Sequence, residues 1–250
     1  VSYDPRRRGL AAEVDRLEAQ AAIAWPAERA LLQSLGVGGA ILEVGSGSGA
    51  FLRRLRQLGD VTGVEPDAEL RGASGAVAGT AEALPFADAT FDAVVLRYVF
   101  QHLPDPAAAA REAARVLKPG GVLVAIEVDG PTWGIAHPTF PEAAAVHAKI
   151  WGAQPGRMIG RRLPALFAAA GLAGVRLDLY SYSSYDHGLD AFDAHLHPDQ
   201  VEPLVSAEDY AVLLRTYERF RADPDAYVAL IGVIVSGRLP STNSPTVDSA

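Results

Sequence analysis

The chain has 250 residues, 49% hydrophobic and 21% charged, and its 30 acidic against 22 basic residues give a formal net charge of −8. That length and apolar content suffice for one large core, and the acidic balance argues against nucleic acid or an anionic membrane as partner and towards a small molecule. Cysteine is absent, which excludes disulfides and thiolate metal sites and leaves the redox compartment unread. No window approaches a membrane-spanning run of apolar residues, and the basic start at Arg6, Arg7 and Arg8 is not followed by an apolar segment, so a soluble cytoplasmic protein is expected.

In chain order, Leu10, Val14, Leu17, Ala21 and Ala24 recur at helical spacing, and Pro26 opens a second helix that runs to Leu35 and stops at Gly36. Residues 1–38 therefore read as cover helices over a ligand crevice, because they lead directly into the first strand. From Ile41 strands and helices alternate, the pattern of a parallel sheet. Strands are expected at Ile41–Val44, Val61–Val64, Val77–Gly79, Phe91–Leu96 and Val122–Val128. Helices are expected at Phe51–Leu58, weakly around Gly72, and from Pro106 to Leu117 with Asp105 as its cap. The second half carries a long loop, Asp129–Pro141, then helices at Glu142–Trp151 and Arg161–Ala170 and a strand at Val175–Tyr182. Helical patterns at Leu189–Leu196 and Glu208–Phe220 precede a last strand, Tyr227–Ser236. Neighbouring strands do not need so long a connection, so 129–160 and 186–225 are expected to form a substrate lid, and 240–250 a flexible tail.

The chemistry-bearing stretch is Ala40–Phe51, Ala-Ile-Leu-Glu-Val-Gly-Ser-Gly-Ser-Gly-Ala-Phe. A strand that turns at once into a helix needs positive φ angles, and a ligand lying on the turn needs backbone without Cβ atoms; Gly45, Gly47 and Gly49 meet both needs. Glu65 closes the second strand, where a carboxylate can accept both hydroxyls of a ribose. The spacing is Gly-x-Gly-x-Gly and not the dinucleotide form Gly-x-Gly-x-x-Gly, and Glu43 sets a negative charge beside the loop, which suits a cationic ligand better than a pyrophosphate. Right-handed crossovers place the loop after the first strand and the loop from Arg97 to His102 on one crevice, where the strand order reverses, with Glu65 and residues 80–86 at its far end.

Ile41–Phe51 resembles motif I of the class I S-adenosylmethionine-dependent methyltransferases, and Val64-Glu-Pro-Asp67 their ribose-binding segment. Gly79–Phe86, Phe91–Leu96 with Gln101–Asp105, and Arg115–Gly121 resemble, in order, further segments of the small-molecule subgroup related to ubiquinone and menaquinone biosynthesis. The resemblance implies an α/β, Rossmann-like, doubly wound seven-stranded sheet of order 3-2-1-4-5-7-6 with the last strand antiparallel, in a single domain over 1–239 whose cofactor-binding core is 40–128. Carried over by position, it assigns S-adenosyl-L-methionine to Glu43, Gly45, Ser46, Gly47, Gly49, Glu65, Pro66, Thr80, Ala81, Glu82, Arg97, Tyr98 and His102. Thr80 stands where the family often has aspartate, and Arg97 where smaller residues are frequent, so Arg97 is also a candidate partner for a cofactor or substrate carboxylate.

Methyl transfer is an in-line displacement at a carbon already activated by a cationic sulfur, so the protein has chiefly to position the nucleophile and exclude water. For an acceptor that must lose a proton, His102 is the candidate general base by topology, with His137 and Asp129 as further candidates. The competing reading for these residues is turn capping. Trp133, His137, Tyr182 and Tyr185 are candidate substrate contacts, and Tyr3 would reach the cofactor from the cover. The histidines and aspartates at 186–197 lack the spacing of a metal site and read as a solvated lid face. The expected function is methylation at oxygen, nitrogen or carbon of a secondary metabolite or quinone-like acceptor, as in antibiotic biosynthesis. Its alternatives are a non-methylating reaction such as a cyclisation on the same fold, or a ligand sensor. A homodimer is the candidate assembly.

Overall fold

The structure, a computed structural model, describes residues 9–130, 133–134, 141–153, 155–192 and 197–241. Its centre is one mixed sheet of seven strands: β1 (Gly39–Val44), β2 (Gly59–Val64), β3 (Phe91–Arg97), β4 (Leu117–Glu127), β5 (Trp133–Gly134), β6 (Ala173–Ser183) and β7 (Ala229–Arg238). Parallel pairing runs β2-β1-β3-β4, and β7 then joins antiparallel to β4, with β6 on its other side. The two-residue β5 continues the β4 side of β7, at Leu230 and Ala229. The strand order thus reverses between β1 and β3, as expected.

Three local expectations are corrected. Val77–Gly79 does not form a strand: Val77 makes a single parallel bridge to Val64 and is 42% exposed, so it lacks the packing that would extend the ladder. Six strands of six or more residues therefore form, with the short β5 as the seventh. Lys118-Pro-Gly-Gly121 does not separate helix from strand; β4 already begins at Leu117 and bulges there, the partners jumping from Leu117 opposite Phe91 to Val122 opposite Ala93. The expected pair of cover helices is one helix, α1 (Leu10–Ser34), with Pro26 inside it. Proline costs an internal hydrogen bond, but Trp25, Glu28 and Leu32 around it are all buried, and this packing carries the helix through.

The remaining helices are α2 (Ala50–Leu55), α3 (Ala68–Ser74), α4 (Pro106–Val116), α5 (Pro141–Ala153), α6 (Leu163–Ala169), α7 (Ser184–His187) and α8 (Ala207–Ala222). Asp105 caps α4 by accepting from the Ala108 N–H at 2.9 Å, as its sequence foretold. Strand alternation divides the core into two layers. Ala93, Val95, Val122, Val124 and Ile126 face the layer holding α1, α2, α5 and α8, and Val94, Leu96, Leu123 and Ala125 face α4 and α6. The segment between β6 and β7 folds as α7, short 3-10 turns and α8, and α8 is tied to α5 by Lys149–Asp209 and Arg219–Glu142 ion pairs. Among the described residues no helix is long and apolar enough to cross a membrane.

Candidate active site

The carboxyl end of β1 delivers the glycine loop, and its conformation explains the sequence. Gly45, Gly47 and Gly49 have φ of 73°, 51° and 79°, values that residues with a Cβ adopt only under strain. Space forbids a side chain at Gly45 as well: a Cβ there would lie 2.5 Å from Val99 Cγ2. The loops after β1 and β3 therefore touch, in the crevice that the strand order predicts. Gly45 and Ser46 donate to the Val64 carbonyl at 2.8 and 3.0 Å, which fastens the loop to the end of β2.

Glu65 reaches the same loop. Its carboxylate accepts from the Gly47 N–H at 2.8 Å and the Asp67 N–H at 2.9 Å. The group is buried, and burial raises its pKa in spite of those two bonds. Pro66 is exposed, and its carbonyl accepts from Arg71 at 3.1 Å. Thr80 is exposed and bridges to Ala83, while Ala81 is buried beside Leu84 and Val64. One oxygen of Glu82 is buried without a hydrogen-bond partner.

A cavity of about 50 Å³ lies on the glycine loop, walled by Glu43, Gly45, Ser46, Gly47, Phe51 and Arg97 and covered by Leu17 and Ala21 of α1. Glu43 is 2% exposed, and its Oε2 has no hydrogen-bond partner. Burial holds its pKa well above the carboxylate range, against the pull of the nearby Arg97 cation. Arg97, at the end of β3, does not point to an open crevice: its Nε donates to both oxygens of Glu28 at 3.0 Å, and its Nη2 reaches the Gln20 carbonyl at 3.4 Å. Its guanidinium also lies over the rings of Phe51 and Tyr98, 5.1 and 4.5 Å from their centroids. Burial acts to lower the Arg97 pKa, but Glu28 and the tyrosines around it more than offset this, and the net shift is upward.

Tyr98 has φ 57°, an uncommon value for a residue with a Cβ. Its hydroxyl meets that of Tyr180 at 3.2 Å, and Tyr180 donates to Glu28 at 2.8 Å. Tyr182 is buried and stacks between Tyr180 and Phe192. Burial raises the pKa of all three tyrosines. Glu28, Arg97, Tyr98, Tyr180 and Tyr182 thus form one buried polar cluster that joins α1, β3 and β6.

The other candidates lie apart from this cluster. His102 ends the 3-10 turn Phe100–His102 after β3, half-buried, its N–H donating to the Val99 carbonyl at 2.9 Å. Asp129, just past β4, is held by Arg161 through two bonds of 2.8 and 2.7 Å. Tyr185 is 80% exposed and stacks on Tyr227. Trp133 falls in β5, and His137, Tyr3, Arg6, Arg7, Arg8, Asp193 and His195 lie outside the described residues. His197 contacts Asp199 and Tyr217, and among the described residues no three His, Cys, Asp or Glu side chains are grouped to hold a metal ion.

Residues 42–125 match the protein family described as "Methyltransferase domain". Among curated proteins, the uncharacterized protein YafE of Escherichia coli is 53% identical over 53 residues, and a demethylmenaquinone methyltransferase of Renibacterium salmoninarum is 44% identical over 66 residues. Those stretches are 21% and 26% of this chain and span only about a quarter of the relatives, 26% and 28% of their own lengths. In fold the chain is similar to phosphoethanolamine N-methyltransferase 2 of Haemonchus contortus, solved in complex with S-adenosyl-L-methionine. The TM-score is 0.57 at 17% identity, over 90% of this chain and 57% of that one. Residues 42–125 carry the methyltransferase domain of that family.

Two buried acidic residues that flank the matched stretch are missed by the sequence reading. Glu28 lies on the apolar face of α1, between Trp25 and Leu32, and is fully buried; an acidic residue at a core position of a helix is the signal that would have found it. Glu127, the last residue of β4, is also fully buried, and the N–H groups of Phe100, Gln101, Val128 and Val99 face its carboxyl group, none in hydrogen-bonding geometry. Burial pushes its pKa up to about 8.

Proposed function

We propose that this chain binds S-adenosyl-L-methionine at the glycine loop and transfers its methyl group to a small-molecule acceptor. The observation that carries the reading is the buried carboxyl group of Glu43, with one oxygen lacking a hydrogen-bond partner, on the wall of a cavity floored by positive-φ glycines. A buried acid without a partner is costly, and a cationic ligand beside it removes that cost. The residues fit the cofactor: Glu43 would face its cationic methionine end, Gly45, Ser46, Gly47 and Gly49 would line the chain, Glu65 and Pro66 the ribose, and Thr80, Ala81 and Glu82 the adenine. Bound there, the cofactor supplies a methyl group on a positively charged sulfur.

The chain's own residues do the rest. Ligand pockets hold about 300 Å³ or more, so the cavity of about 50 Å³ has to enlarge, and the part of the wall that α1 contributes, Leu17 and Ala21, is the part to yield. With α1 back in place the site excludes water, which favours displacement at the sulfonium. Arg97 lines this space, Arg97 and Tyr98 are proposed to approach the cofactor once it is bound, and His102 is the proposed base for an acceptor that must lose a proton. Asp129, His137, Trp133, Tyr182 and Tyr185 remain proposed acceptor-side residues, with 129–160 and 186–225 as the proposed lid. The acceptor we favour is a secondary metabolite or quinone-like compound, in keeping with the demethylmenaquinone methyltransferase relative. Calorimetry with S-adenosyl-L-methionine and NAD separates the cofactors, and mass spectrometry across a metabolite panel reads the gain of one methyl group. Absence of S-adenosyl-L-methionine binding refutes the proposal.

A further inference from the structure

β6 is an eleven-residue strand at the end of the sheet, bonded to β7 along one side and to no strand among the described residues along the other. It exposes two large apolar side chains beside the charged Arg176: Leu177 is 43% and Leu179 60% exposed. From Arg176 to Ser183 its register with β7 is unbroken, the irregularity being confined to Ala173–Arg176. Long, regular and apolar edges of this kind are templates for adding another strand.

The sequence of the edge says which strand. We propose that β6 pairs antiparallel with β6 of a second copy of this chain, across a twofold axis through Leu177. Directly opposed residues of an antiparallel pair point to the same face, so a twofold register must be centred on a residue. Centred on Leu177, Arg176 of each copy opposes Asp178 of the other, Leu177 opposes itself and Val175 opposes Leu179. Each Arg176 already bonds Asp178 of its own strand at 2.5 Å, so four charges alternate in sign around the axis. A shift of the centre by one residue sets Arg176 against Arg176 or Asp178 against Asp178, and opposed like charges destabilise a ladder. Self-pairing is thus favoured in one register and penalised in its neighbours, the self-complementarity that an isologous dimer requires.

The chain has no cysteine, which makes the register directly readable. Opposed Cβ atoms lie about 4.5–5.5 Å apart, near disulfide range, and a lone cysteine meets its own copy only on the axis. Under mild oxidation the full-length Leu177→Cys variant is expected to form a covalent dimer and Leu179→Cys to stay uncrosslinked. In sedimentation velocity the native chain is expected to be a dimer. Arg176→Asp, at an exposed position, should weaken it by at least tenfold with the circular dichroism of the folded chain retained, and the swap Arg176→Asp with Asp178→Arg should restore it. A native chain that sediments as a monomer throughout the micromolar range overturns the proposal. So does a dimer indifferent to Arg176→Asp, or one crosslinked as readily through position 179 as through 177.

Discussion

Replacing Glu28 with glutamine keeps the shape of the side chain and its oxygen acceptor but deletes the charge opposite Arg97. Both side chains are withdrawn from water, Glu28 at 0% and Arg97 at 6% exposure, with Nε 3.0 Å from the nearer oxygen. With charge centres about 4 Å apart and an effective dielectric constant of about 20, their attraction is about 4 kcal/mol. That agrees with the roughly 3–5 kcal/mol lost when one member of a buried pair is removed. For a chain of this size each kcal/mol moves the melting temperature by about 2–4 °C, so a fall of about 8–16 °C is expected. Urea unfolding followed by circular dichroism measures the change, and a double-mutant cycle with Arg97→Leu isolates the coupling. The double variant should be more stable than the sum of the single losses allows, because no lone charge is left buried. A loss below about 1 kcal/mol for Glu28→Gln, or strict additivity in the cycle, refutes the view that this pair fastens α1 to the sheet.

Glu127 gives the stability a pH dependence with a definite sign. Its folded pKa of about 8 lies above the value of an unfolded chain, so the stability it contributes is full below about pH 4.5 and is lost as pH rises to about 8. Relative to Glu127→Gln, the native chain should lose on the order of 1.4 kcal/mol per pH unit across that window, and parallel curves would refute the assignment. Glu65→Ala should weaken S-adenosyl-L-methionine binding by about 1–3 kcal/mol in calorimetry, since it removes the proposed ribose acceptor together with the bond that sets Gly47. Gly45→Ala should destabilise the fold by about 1–3 kcal/mol through its φ and its clash with Val99, and Val99→Ala should return part of that loss in thermal unfolding. For His102→Ala, the rate should fall and its pH profile should lose the drop towards low pH that protonation of a base produces, whereas a native profile removes His102 as the base.

The parts of this structure readable from sequence are those decided locally. The apolar runs of β1, β2 and β3, the glycines that need positive φ, the Asp105 cap and the convergence of the loops after β1 and β3 all follow from residue type and crossover handedness. What escaped was decided at long range. Pro26 reads as a helix start because the sequence does not show that Trp25 and Leu32 will both be buried against the sheet. Val77 reads as a strand because its exposure is set by how short its neighbours leave it. Asp129 was found by its place past β4, but its partner Arg161 stands 32 residues away and has no spacing signature. Arg97 reads from sequence as a partner for a ligand carboxylate; in the structure its Nε donates to Glu28 of α1, 69 positions earlier, a pairing without a spacing signature. Glu28 and Glu127 were passed over as charges inside apolar patterns, where their cost should have marked them.

The proline in α1 divides the cover into unlike halves. Pro26 has no N–H to give the Ala22 carbonyl, so the backbone rail between the two halves is short of a rung. Behind it, Glu28 and Leu32 are fully sunk in the body of the protein, and the Leu35 carbonyl is gripped by Arg238 at 2.6 Å. Ahead of it, Leu17 and Ala21 rest on the glycine cavity, the Gln20 carbonyl meets Arg97 at 3.4 Å, and Glu18 holds this half to α2 through half-exposed pairs with Arg53 and Arg54. If a guest enters by the proposed route, the front of the helix would tilt at a notch already cut and its solvent-facing Glu18 pairs would give way, while the rear stays bolted down.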